Sequence, residues 1–142
     1  MIRVERVVQL PLDIQTLREE ADRDGIRNMG LLVEEWASGF ERFDKPGEAL
    51  FAAFDGGTLI GIGGVTIERD APAMRMRRLY VLCDRRKQGA GRALAAAMMA
   101  QGFQSADLLT SNARPPGAAE FWDAMGFKRI AAPRWTHELR RC

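Results

Sequence analysis

A strand-like run that leads into a cationic, glycine-containing turn and then into a helix constrains this chain more than any other feature. Residues 79–82 (LYVL) favour a strand, residues 85–91 read RRKQGAG, and residues 91–103 are rich in alanine and methionine. The first turn of such a helix has unpaired backbone N–H groups and the positive end of the helix dipole, and glycine lets a ligand approach the backbone. The segment therefore predicts an anion site that suits a diphosphate.

The charge balance indicates that this anion is small. Lysine and arginine total 21 against 19 aspartates and glutamates, a net charge of +2, so the chain has no general attraction to nucleic acid or to an anionic membrane. The positive charge is concentrated in residues 75–92, where Asp84 is the only acid. We therefore expect no nucleic-acid partner. The cations of this segment are Arg75, Arg77, Arg78, Arg85, Arg86, Lys87 and Arg92.

The periodicity of the apolar residues predicts one α/β domain over residues 1–142, a mixed sheet covered by helices. An Asp-Gly-Gly turn at residues 55–57 predicts a hairpin, and Gly61, Gly63 and Gly64 indicate a bulge or a close approach of backbone or ligand in its second strand. The predicted strands are residues 2–8, 48–54, 58–68, 74–82, 107–111, 127–131 and 134–139. The predicted helices run from the Asp13 cap to near Gly25 and over residues 28–40, 91–103 and 117–125.

Two of these elements have faces that can be assigned. In the fourth strand Met74 and Met76 alternate with Arg75 and Arg77, so we interpret part of the arginines of residues 75–78 as the solvent face of that strand. The second helix has an apolar stripe that predicts core packing. Its members are Met29, Leu32, Val33, Trp36 and Phe40.

Several functional classes find no support in the sequence. The two cysteines, Cys83 and Cys142, have neither metal-ligand nor disulfide-framework spacing, so no metal is expected. No apolar stretch approaches the length of a membrane span, and the N-terminus lacks the apolar core of a signal peptide. We therefore expect a cytoplasmic protein with no membrane partner.

The spacing of the glycines distinguishes between the known anion-binding motifs. Residues 89–92 (GAGR) lack the GK[ST] end of a P-loop, and they lack the last glycine of a dinucleotide-binding GxGxxG. Residues 86–91 (RKQGAG), followed by RAL, instead resemble the acyl-CoA-binding signature Q/R-x-x-G-x-G/A of the GNAT N-acetyltransferase superfamily. Residues 120–127 (EFWDAMGF) resemble that family's second motif, A-x-x-F-Y-x-x-x-G-F, and Asn112 precedes it at a familiar place. The inferred order of elements extends the resemblance over essentially the whole chain.

The resemblance implies a fold and a cofactor site. The fold is a central, mostly antiparallel mixed sheet of about seven strands flanked by about four helices. Acetyl-CoA would be the co-substrate, Leu79, Tyr80 and Val81 would line its pantetheine arm, and Asn112 would lie near the same arm. An exposed sheet edge makes a homodimer plausible. The residues that would hold the CoA pyrophosphate are Arg86, Lys87, Gln88, Gly89, Ala90, Gly91 and Arg92.

The implied reaction is transfer of an acetyl group to a primary amine by direct attack. Trp122 stands where the family usually has the tyrosine that protonates the leaving thiolate, and an indole N–H is not a practical acid. The thiolate can leave unassisted or with the help of water, or a hydroxyl of Tyr80, Thr110 or Ser111 can serve. The alternative is a catalytically weak, acyl-CoA-binding regulatory or interaction domain.

The general base and the acceptor pocket are less well defined. Candidates for the base are Glu34, Glu35, Glu68 and the only histidine, His137, and the amine can also lose its proton through water. The pocket is expected between the first two helices, the loop over residues 38–47 and the last hairpin. Glutamates there could attract a cationic amine. The other candidate lining residues are Trp36, Phe40, Glu41, Phe43 and Trp135.

Overall fold

The structure is a computed structural model that describes residues 1–131 and 134–142. Within them the chain forms a mixed sheet of seven strands and four α-helices, in the order that the sequence predicts. The strands are β1 (Ile2–Val7), β2 (Ala49–Asp55), β3 (Thr58–Ile67), β4 (Met74–Val81), β5 (Leu108–Ser111), β6 (Lys128–Arg129) and β7 (His137–Arg140). The helices are α1 (Ile14–Arg23), α2 (Asn28–Ser38), α3 (Ala90–Phe103) and α4 (Ala118–Ala124), with a 3₁₀ turn at Cys83–Arg85.

The strands lie in the order β1-β2-β3-β4-β5-β7-β6. Strands β1 to β4 form an antiparallel meander, β5 pairs with β4 in parallel, and β7 pairs antiparallel with both β5 and β6. The parallel contact is short: it begins at the Met74–Leu109 pair and ends at the Met76–Ser111 pair, although β4 continues to Val81. The two strands therefore separate in the middle of the sheet.

Each face of the sheet has its own apolar core. Helix α3 covers one face, where Leu94 and Met98 pack among Val65, Met76 and Leu109. Helices α1 and α2 cover part of the other face. The second core includes Leu17, Met29, Leu32, Leu50, Ile62 and Tyr80.

The glycines of β3 let both layers approach the strand closely. A Cβ on Gly63 would lie 2.8 Å from the sulfur of Met98, and one on Gly64 would lie 2.5 Å from Phe43 Cε2. The close approach is therefore present and is made by side chains of the two layers, whereas the shift of the β3–β4 register between Ile62 and Gly64 places the extra residue in β4 and not in β3.

The prediction for Phe40 is wrong. Helix α2 ends at Ser38, Gly39 follows in the left-handed region (φ 81°), and Phe40 is 65% exposed outside the apolar stripe. A left-handed glycine after the last turn ends a helix readily, and the chain then leaves the helix axis before Phe40. In the described ranges 1–131 and 134–142, no helix has the length and apolar composition needed to cross a membrane.

Candidate functional site

The second half of β4 has an open edge. Tyr80 and Leu82 face β3, as the Ile62–Tyr80 pair and the 2.9 Å hydrogen bond from Leu82 N to the Ile60 carbonyl show. Backbone N–H and C=O groups alternate between the two edges of a strand. Those of Leu79 and Val81 therefore point away from β3, toward the edge that β5 no longer covers. Two strand carbonyls there accept hydrogen bonds from side chains. Asn28 Nδ2 donates to the Leu79 carbonyl (3.2 Å) and Arg86 Nε to the Val81 carbonyl (2.9 Å).

A β-bulge marks the point where β4 separates from β5. Arg77 pairs with Gly64 and Tyr80 with Ile62, so Arg78 and Leu79 together oppose Gly63 alone. Arg78 has a positive φ of 58°, which is uncommon for a residue with a side chain. Its Nη2 donates to Glu35 Oε1 of α2 at 3.0 Å. The bulge is therefore held in place by the second helix.

The interpretation of part of the arginines at residues 75–78 as a solvent face holds only to a limited extent. Arg75, Arg77 and Arg78 are all half-buried, and the Arg78 side chain is only 15% exposed. Burial, followed by the charges of Arg78 and Arg75, lowers the pKa of Arg77 to about 10. The alternation of methionine and arginine correctly indicates two faces, but the face with the arginines lies partly beneath other parts of the protein.

The cationic turn lies between the open edge and α3. Gly89 adopts a left-handed conformation (φ 96°), as does Lys87 (φ 65°), and α3 begins at Ala90. The first backbone N–H groups of α3 have no partner within the helix. The side chains of Arg86, Lys87, Gln88 and Arg92 are exposed around them.

The cations of this turn differ in their partners. Arg85 forms an ion pair with Asp55 at 2.6 Å, and Arg86 lies over the ring of Tyr80 with its guanidinium carbon 5.3 Å from the centroid. Lys87 and Arg92 have no ion pair in the described part of the chain. Uncommitted positive charge therefore lies at the N-terminal end of α3.

Tyr80 is tied to a residue that the sequence reasoning missed. Its hydroxyl donates to Glu20 Oε2 of α1 at 2.6 Å, and the same oxygen accepts the Cys83 N–H at 2.9 Å. Burial, reinforced by the hydrogen bond to Glu20, raises the pKa of Tyr80 above its ordinary value. Glu20 is 60 residues distant in the sequence, and no local pattern signals the pair.

The opening between the separated ends of β4 and β5 is bounded on its other side by the end of β5 and the residues that follow it. The Ser111 carbonyl accepts the N–H of Thr136 at 3.1 Å, and Asn112 follows, its side-chain amide 3.5 Å from the Arg134 carbonyl. Trp122 does not fill a solvent-exposed position. It is 4% exposed and packs edge-on against Phe121 and Phe127, with ring centroids 5.1 and 4.9 Å away. The residue at the family's usual acid position is thus a core side chain.

The structure separates the proposed general bases from one another. Glu34 is exposed and pairs with Arg18 at 2.9 Å on the outer side of α1 and α2. His137 is 2% exposed and lies between Asp123 Oδ1 (3.0 Å from Nε2) and Thr136 Oγ1 (2.8 Å from Nδ1). Each is already engaged with protein partners.

A row of polar side chains crosses the sheet on the face of α1 and α2. Thr66, Arg75, Thr110 and Glu138 are in register on β3, β4, β5 and β7. Glu68 lies two residues beyond Thr66 on the same face, where it accepts the Thr110 hydroxyl at 3.0 Å. Only the methionine–arginine alternation in β4 hints at this row, because the register of the other strands is not visible in the sequence.

One family model matches the chain. The model described as an acetyltransferase (GNAT) domain matches residues 46–129, which is more than half of the 142 residues. No curated protein sequence matches. In residues 1–131 and 134–142, no group of three or more histidine, cysteine, aspartate or glutamate residues is arranged to hold a metal ion.

Solved structures share the fold over nearly the full length. A proposed acetyltransferase from Exiguobacterium sp. 255-15 is 24% identical with a TM-score of 0.89, covering 99% of this chain and 93% of that one. A proposed GNAT-family acetyltransferase from Desulfovibrio desulfuricans is 16% identical with a TM-score of 0.75, covering 99% of both chains. AAC(6')-Iy, in complex with the bisubstrate analogue CoA-S-monomethyl-acetylneamine, is 19% identical with a TM-score of 0.72, covering 100% and 99%.

Proposed function

This chain belongs to the GNAT acetyltransferase family, and from that membership we propose that it transfers an acetyl group from acetyl-CoA to a primary amine by direct attack on the thioester. The alternative of a catalytically weak, acyl-CoA-binding regulatory domain is not favoured, since the family match and the similar structures are acetyltransferases. A domain over residues 1–142, a cytoplasmic location and a homodimer remain predictions.

The observation that carries this proposal is the continuity of the open β4 edge with the N-terminus of α3. A pantetheine arm contains two amides, which can pair with the edge at Leu79 and Val81 as a further strand would. The diphosphate would then meet the N–H groups of Gly89, Ala90 and Gly91 and the charges of Lys87 and Arg92. The residues present fit both parts of the cofactor.

Arg86 and Asn28 would change partners when the cofactor binds. Both now donate to strand carbonyls that a pantetheine N–H can use. Displacement from the Val81 carbonyl would release the Arg86 guanidinium toward the diphosphate. Tyr80 would keep its hydroxyl on Glu20 and contribute the stacking surface for Arg86 rather than a proton.

The chemistry would need little from acidic or basic side chains. Bound acetyl-CoA would supply an activated acetyl group, and backbone N–H groups at the β4 bulge would serve as donors to the developing oxyanion. Glu34 and His137 are engaged elsewhere, and Glu68 accepts hydrogen bonds from Thr110 and the Arg69 N–H (2.9 Å). The amine would therefore lose its proton to water, and the thiolate would leave without a protein acid, in keeping with the core position of Trp122.

Titration calorimetry with acetyl-CoA and CoA tests the cofactor site. The variant Lys87→Gln/Arg92→Gln removes two exposed cations without breaking an ion pair, and Arg23→Gln/Lys128→Gln removes two exposed cations elsewhere as the matched control. Because a charge-assisted hydrogen bond contributes about 1.5–3 kcal/mol, we expect the first variant to bind at least about tenfold more weakly and the control to match the wild type.

Thiol release with a panel of primary amines, on the same samples, tests the reaction. Release that depends on an amine and falls with the loss of CoA affinity supports the proposal. Folded wild-type protein that binds neither acetyl-CoA nor CoA would refute the cofactor site. Binding without release for any amine of a broad panel would instead favour the regulatory domain.

A further inference from the structure

Two arginines at the opening form no ion pair with an acidic side chain of the described residues. Arg75 and Arg77 lie on the same face of β4, one in register with Thr66 and the other with Gly64. In the described part of the chain neither forms an ion pair or a side-chain hydrogen bond, whereas Arg78 beside them pairs with Glu35. Both are half-buried. A half-buried guanidinium without a partner is costly, and an anionic ligand relieves that cost.

The acidic side chains of this face are already engaged with protein donors. Glu35 accepts Arg78, Glu68 accepts Thr110 and the Arg69 N–H, and Glu138 Oε1 accepts the indole N–H of Trp135 at 3.2 Å. Glu41 Oε2 accepts the Phe43 N–H at 2.9 Å. In the described part of the chain, none of these carboxylates forms an ion pair with Arg75 or Arg77. The expectation that glutamates here attract the cationic amine of the acceptor stays a prediction.

The row also contains an unused hydroxyl. Thr66 is 1% exposed, and its Oγ1 has no hydrogen-bond partner among the described residues. Thr66 is in register with Arg75, so the two side chains share one place on the face. A ligand oxygen that reaches Arg75 is thus the natural partner for a hydroxyl that has none, because buried polar groups are rarely left unpaired.

The position of Arg75 and Arg77 in β4 connects them with the proposed reaction. Arg77 directly follows Met76, the last residue of β4 that pairs with β5, and it directly precedes the bulge at Arg78. The acyl end of a pantetheine arm that follows the open edge would arrive at this point. We propose, on the basis of the acetyl transfer proposed above, that the acceptor carries a carboxylate or phosphate in addition to its amine, and that Arg75 and Arg77 bind this group.

Conjugates that join CoA to an acceptor through an acetyl bridge test this inference without turnover. Calorimetry compares conjugates of glycine, β-alanine and 4-aminobutyrate with those of the corresponding amides, and a conjugate of phosphoethanolamine with that of ethanolamine. At least one charged conjugate should bind about tenfold to a hundredfold more tightly than its neutral counterpart. The carboxylate and phosphate arms show which group is used.

Variants test whether Arg75 and Arg77 cause the preference for a charged conjugate. Arg75→Gln/Arg77→Gln should remove the advantage of the charged conjugate while CoA itself binds as in the wild type, and Arg23→Gln/Lys128→Gln should keep it. If CoA binds and every charged conjugate binds no better than its neutral counterpart, this inference is wrong and the proposed function stands. If CoA does not bind to folded wild-type protein, the proposed function fails and this inference fails with it. The comparison of charged with neutral conjugates on the wild-type protein tests this inference even if Arg75→Gln/Arg77→Gln does not fold.

Discussion

The two halves of β4 differ in what lies beside them. The first half, from Met74 to Met76, has β3 on one side and β5 on the other, and its methionines are buried in the core beneath α3. The second half, beyond the bulge, has β3 on one side and an edge whose carbonyls bond to the side chains of Asn28 and Arg86. One continuous strand thus contributes stability at one end and a binding edge at the other.

The largest effect is expected where the strand is paired on both sides. Met76 is 4% exposed and pairs with Val65 on one side and Ser111 on the other, so Met76→Ala should lower the free energy of unfolding by about 2–5 kcal/mol. The matched truncation in the open half, Leu79→Ala, removes a half-buried side chain and should cost about 1 kcal/mol. Chemical denaturation measures both. Equal losses would mean that the two halves do not differ as described.

The bulge at the boundary between the halves should give the next largest effect. Arg78→Ala and Arg78→Gly both remove the ion pair with Glu35, which should cost about 1–3 kcal/mol. Because Arg78 has a φ of 58°, glycine relieves strain that alanine retains, and the glycine variant should be about 1 kcal/mol more stable than the alanine variant. An alanine variant that is as stable as the glycine variant would contradict the strained bulge.

A smaller effect is expected from Tyr80 in the open half. The folded protein holds the phenol proton more tightly than the unfolded chain, so the contribution of Tyr80 to stability is complete below pH 10 and declines as the pH rises above it. Tyr80 is the only tyrosine, so tyrosinate absorbance reports it alone. Its midpoint should exceed 10 in the folded protein and return to the ordinary value in denaturant. Glu20→Gln, the control that removes the acceptor charge, should lower the folded midpoint.

The smallest effect on stability is expected from Asp123 of α4, which contacts His137 beside the end of β5. Arg129 first, and then His137, lowers the pKa of Asp123, so this carboxylate stabilises the fold above pH 3.8 and its contribution declines as the pH falls. Asp123→Asn should therefore lower the stability slightly at neutral pH and change it little at low pH, so that the loss of stability on acidification becomes smaller. Thermal unfolding at several pH values measures this. The exposed Asp107, which pairs with Arg141, is the matched control, and a larger effect of Asp107→Asn would contradict the assignment.

Much of the fold follows from local patterns. The order of the strands and helices, the hairpin at residues 55–57 and the start of α3 after Gly89 agree with the sequence predictions because periodicity and glycine conformation act over a few residues. The error at Phe40 also arises within a few residues of sequence. The apolar stripe extends past the residue at which a left-handed glycine ends the helix.

The candidate site is less predictable because most of it depends on long-range pairs. The hydrogen bond between Tyr80 and Glu20 spans 60 residues and that between Arg78 and Glu35 spans 43. The row from Thr66 to Glu138 depends on the register of four strands. A shift of one residue in any strand would turn that side chain to the opposite face, and nothing local determines such a register.

The sequence by itself determined that a strand enters a cationic turn and a helix, because charge, glycine and apolar spacing are properties of neighbouring residues. Only the tertiary structure decided that β4 leaves β5 after Met76, that a bulge at Arg78 marks this point, and that Arg75 and Arg77 lie there without an ion pair among the described residues. These features arise from the competition of distant side chains for space and hydrogen bonds, which is settled only when the two cores pack against the sheet.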